Sequence, residues 1–139
     1  MGAYDKDTGI QPATRDALNA LAAGLSGDIV INVLTPVITP PPTAAAWSYT
    51  VAFELTDTAG NRLTWYNGDL TAAPSDDSAA GTASVSDATP AVVNGYGTVD
   101  LEGDAAAWLN TEVATLTIDG TISGTALTEK TWTVTFTTA

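Results

Sequence analysis

The chain has 139 residues, 45% hydrophobic and 14% charged, with a formal net charge of −12. That is one ordinary domain with a small appendage and enough apolar material for a core, and so few charges argue against a disordered chain. Four basic residues against sixteen acidic ones exclude a nucleic-acid partner, since phosphate binding needs clustered Lys and Arg; the lack of cysteine and histidine removes disulfides, thiolate chemistry and the usual general base near neutral pH.

The first ten residues are polar. Asp5-Lys6-Asp7-Thr8-Gly9 resembles the start of a calcium loop but lacks its later ligands, so neither a metal site nor a cofactor is expected. The charges at Asp5, Lys6 and Asp7 stand where an export signal needs a basic and then an apolar stretch, and no run of 18 apolar residues occurs, so neither a leader nor a membrane span is expected. Residues 12–24 read as the one helix, with Pro12 in the first turn and Gly24 as a stop. Leu18, Leu21 and Leu25 form an apolar stripe on it, and so short a helix needs something to pack on.

Gly27–Leu34 reads as a strand with Ile29, Ile31 and Val33 on one face. The following run, from Thr35 to Thr43, carries prolines at 36, 40, 41 and 42, which remove backbone donors and favour extended geometry. Two readings stay open. In one, residues 1–35 are an N-terminal anchor, 36–43 a stiff linker and 44–139 a separate module. In the other, Gly27–Leu34 is the module's first strand and the prolines switch it between sheets.

Inside the module, alternation marks strands at Trp47–Thr56, Arg62–Tyr66, Gly81–Ser86, Thr98–Glu102, Val113–Ile118 and Thr131–Thr137. The last is the clearest, with Trp132, Val134 and Phe136 on one face and threonines on the other. Asp57–Asn61, Tyr66–Asp69, Pro74–Ser78 and Asn94-Gly95 read as turns and loops, and Gly103–Trp108 as a corner. Short strands at this spacing predict an all-β antiparallel sandwich with a short N-terminal helical segment.

Leu55-Thr56-Asp57-Thr58-Ala59-Gly60-Asn61 and Gly97–Asp104, followed by Trp108 and Ala114–Ile118, make residues 50–139 resemble the immunoglobulin-like domains of bacterial surface proteins and of tailed-bacteriophage virion proteins. The whole layout is similar to phage head-decoration proteins, in which an N-terminal capsid-binding piece precedes such a module. Trp65 falls where antibody domains bury a tryptophan in their third strand, but the paired cysteines are absent.

Catalysis has few candidates. Asp100 and Glu102 share the wet face of one strand, and Asp76-Asp77 lies in a polar loop; no nucleophile–base pair or nucleotide-binding fingerprint occurs. The expectation is therefore a non-enzymatic structural virion protein, a capsid decoration or head-fibre protein assembled in the host cytoplasm. Leu18, Leu21 and Leu25 would dock it to the capsid shell or tail, or to further copies of itself. The alternative is a carbohydrate-binding or adhesin module of a phage tail or bacterial surface protein, with Tyr66 and Trp108 as glycan contacts.

Overall fold

A computed structural model describes residues 29–122 and 124–138. The predicted helix, the stripe of Leu18, Leu21 and Leu25, and the Asp5–Gly9 loop lie outside the described residues. Strands run at Val30–Val33 (β1), Trp47–Thr56 (β2), Gly68–Asp69 (β3), Thr71–Asp76 (β4), Ala83–Val85 (β5), Ala91–Val92 (β6), Tyr96–Gly103 (β7), Val113–Asp119 (β8), Thr121–Ile122 (β9), Thr125–Ala126 (β10) and Lys130–Thr135 (β11). Two antiparallel sheets dominate, one in the order β1-β2-β7-β5 and the other β11-β8-β4. The fold is all-β and sandwich-like.

Alternation builds the core. Val51, Phe53 and Leu55 of β2, Val99 and Leu101 of β7, Leu116 and Ile118 of β8, and Trp132 and Val134 of β11 are all buried, and Phe136 continues that face. Because a strand turns successive side chains to opposite faces, the register Trp132↔Leu116 and Val134↔Ala114 stacks buried residues in one layer. Thr131↔Thr117 and Thr133↔Thr115 form the outward layer. Across the sandwich the Tyr49 and Trp132 rings lie 6.5 Å apart and the Trp47 and Phe136 rings 5.6 Å apart.

The stretch with two open readings is part of this packing. Val30–Val33 pairs with Phe53–Thr56, and Ile29 and Ile31 are buried. The chain then crosses to the other sheet, where Ile38 bridges Val134 in parallel. The prolines lack donors but not acceptors. Trp132 Nε1 donates to the Pro36 carbonyl at 3.0 Å, Thr135 N to Ile38 O at 3.1 Å and Thr137 N to Pro40 O at 2.9 Å.

Two predicted elements differ in kind, and the predicted Tyr66–Asp69 turn takes in the two-residue strand β3. Arg62–Tyr66 is not a strand. Only Arg62 bridges Thr56, after which Tyr66 N closes a turn on Leu63 O at 3.0 Å. Trp65 therefore sits half-buried on a turn instead of in a third strand. Conversely, Pro74-Ser75-Asp76, expected in a loop, belongs to β4. A proline fits there because β4 is an edge. Leu70 N and Ala72 N donate outward, to Pro90 O and Ala88 O, and position 74 follows on that same outer side, where no ladder bond is lost.

Candidate functional site

Asp100 and Glu102 stand on the outer face of β7, opposite Thr50 and Ser48 of β2, with Ser84 of β5 flanking Glu102. This end of the sheet forms an open cleft of about 420 Å³ lined by Ser48, Ser84, Glu102 and Asp104, with Trp47 and Gly103 beneath. The cleft groups carboxylates and hydroxyls with no cation or imidazole among its lining residues. The buried Trp47 indole N–H meets no acceptor among the described residues. Trp47 shares the core phase of Tyr49 and Val51, and its ring covers Gly103, where an added Cβ would meet the indole.

Other acidic side chains hold the backbone. Asp57 accepts the N–H groups of Ala59 and Asn61 with one oxygen and the Asn61 side-chain amide with the other, which closes the β2 hairpin loop. The Asn61 hydrogen bonds hold its carboxyl below the usual range. Glu112 joins two loops: Oε1 accepts from Leu109 N at 2.7 Å and from Ser78 Oγ at 3.0 Å, and Oε2 from Ala79 N at 3.0 Å. The Leu109 and Ala79 N–H groups chiefly hold its carboxyl below the usual range. Asp77 accepts from Val113 N, and Asp76 from Ala83 N and Ser78 N. Among the described residues no three His, Cys, Asp or Glu side chains gather as a metal-ligating group.

The two candidate glycan contacts part company. Trp108 is fully buried, its Nε1 donating to Asp104 O at 3.2 Å and its ring stacked on Phe136 at 5.4 Å. It plugs the end of the core over Gly81, where an added Cβ would meet the indole, and it presents no face to a sugar. The sequence placed it in a corner without indicating which way the ring points. Tyr66 is half-buried, edge-on to Trp65 at 6.0 Å. Burial and the neighbouring Asp69 charge raise its phenol above the ordinary value, so it is a neutral donor at physiological pH. Beside it, the Arg62 guanidinium lies 5.1 Å over the Tyr96 ring and pairs with Glu54 at 3.0 Å. This corner, with exposed Val93, is the apolar–aromatic surface that residue order alone did not assemble. Its sequence signals are Tyr66 with the Tyr66–Asp69 turn and the Asn94-Gly95 turn, which brings Tyr96 back beside the Leu63–Tyr66 turn.

No family model matches the chain, and no curated protein matches it. Among solved structures it is similar to the secreted serine protease VesC from Vibrio cholerae, at 11% identity and a TM-score of 0.50, over 87% of this chain and 25% of that one. The chain thus spans about a quarter of that protein, and the likeness speaks for an all-β fold alone.

Proposed function

We propose that the protein is a non-enzymatic structural component of a tailed-phage particle, an immunoglobulin-like sandwich that decorates or extends the virion and is attached through its N-terminal segment. One observation carries this reading. β1 joins the sheet with Val30 opposite Thr56, at one end of β2, while Trp47 and the Trp108 plug close the other end. The described chain therefore begins at one pole of the domain, beside Val30, and the proposed attachment runs through the segment that precedes it. A ten-residue strand separates the poles by roughly 30 Å. The use of carboxylates as turn clasps supports the non-catalytic part of the reading.

The test is a full-length variant with Leu18, Leu21 and Leu25 each changed to Asp, followed by co-sedimentation with particles from the native source. Attachment should be lost while the melting temperature stays unchanged; undiminished attachment would refute docking by the stripe. Attachment through the stripe should also persist at molar salt, where exposed ion pairs are screened within about 3 Å. A second reading, a glycan-binding module, is favoured by the half-exposed Trp65–Tyr66 pair. It requires that Tyr66→Ala abolish saccharide binding without loss of stability.

A further inference from the structure

We infer that Asn94-Gly95 is a deamidation site whose reaction is gated by opening of the corner between residues 63–67 and 93–96. An Asn-Gly pair reacts when the glycine amide nitrogen attacks the asparagine Cγ. The N–Cγ bond forms, the Cγ–Nδ2 bond breaks, and ammonia leaves with the proton from the glycine nitrogen. Water then opens the succinimide at either carbonyl, giving aspartate or isoaspartate.

The structure places three obstacles in this path. Gly95 N donates to Tyr66 O at 2.9 Å, so the attacking nitrogen is engaged. Asn94 N donates to Asn67 Oδ1 at 3.0 Å, and Val93 and Tyr96 exchange both backbone bonds, which fixes Asn94 and Gly95 at φ 53° and 76°. That is a two-residue hairpin turn that twists with its strands. Finally, Gly95 lies tight against the Leu63 carbonyl, whose oxygen an atom added at the Gly95 Cα would meet at 2.5 Å, so the closed corner leaves the glycine little room to move. The Asn94 side chain itself makes no hydrogen bond to another described residue. The restraint therefore acts on the nucleophile, not on the leaving group. Modification follows local opening, and isoaspartate, with one extra backbone methylene, alters the spacing of the two-residue turn that the Val93–Tyr96 bonds close.

The experiment is peptide mapping by mass spectrometry of the full chain held at mildly alkaline pH, with a synthetic peptide of residues 90–98 as the ungated reference. Aspartate plus isoaspartate at position 94 should accumulate about tenfold or more slowly in the folded chain than in the peptide. Asn67→Ala removes the acceptor for Asn94 N–H and should raise the rate at position 94 while circular dichroism remains native. Rates within about twofold of each other in chain and peptide, or an unchanged rate in folded Asn67→Ala, would overturn the gate. Amide exchange at Gly95 in the unaltered chain gives a readout that needs no variant. Protection matching the slowed deamidation supports the proposal, and an unprotected Gly95 amide sinks it.

Discussion

Trp132 and Glu112 show two ways in which single residues hold this domain. Trp132 is buried on the core side of β11 and donates to Pro36 O, so truncation removes ring packing and a tie to the crossing segment together. Trp132→Ala should cost about 3–5 kcal/mol in urea unfolding, a large part of the 5–15 kcal/mol typical of small domains. Thr133→Ala, on the outer layer, should change stability by about 0.5 kcal/mol or less. Glu112 acts through charge. Its folded pKa lies below the ordinary 4.5, so its contribution is complete above that value and is lost as pH falls through the lower, folded value; Asp57 adds a loss of the same sign. The urea midpoint should therefore fall as pH drops below about 4.5, and Glu112→Gln should lower the midpoint at pH 7 and flatten part of that decline. The face of Trp132 was legible because alternation is local. Glu112 was not, because its partners Ser78 and Ala79 lie more than thirty residues away and meet it only through the fold.

At the scale of elements, the strands with strict alternation were readable and those defined by edges and crossings were not. Trp47–Thr56 has the same bounds in sequence and structure. Arg62–Tyr66 looked like a strand because Leu63 and Trp65 share a phase, but a turn at Leu63–Tyr66 overrides that short pattern. β4 was missed because proline argues against a strand unless the strand is an edge, and edge position is a tertiary fact. Pro74 also blunts that edge against pairing with another chain. Pro74→Val should thus leave the melting temperature near its original value and increase self-association on size-exclusion chromatography at high concentration. An unchanged elution profile would mean that the 88–90 segment alone covers the edge.

For the whole molecule, the chain enters at one pole of a sandwich and its outer surface is acidic. Residues 47–139 carry twelve acidic and two basic side chains, a net of about −10, which keeps free copies apart at low salt. A fragment beginning at residue 29 retains β1 and Ile29 and should melt like the full chain. A fragment beginning at residue 44 lacks β1 and the Ile38 bridge and should fail to fold cooperatively. The sandwich-like class followed from the sequence because strand and turn spacing states it. The role did not, because it rests on surfaces that no local pattern encodes.

The proposed role is tested most directly by electron cryomicroscopy of particles from the native source. The account predicts a sandwich density repeated on the particle, with the pole bearing Val30, Thr56 and the Tyr66 corner turned toward the particle and the Trp108 pole outward. A sandwich anchored by its Trp108 pole, or particles without this chain, would contradict it.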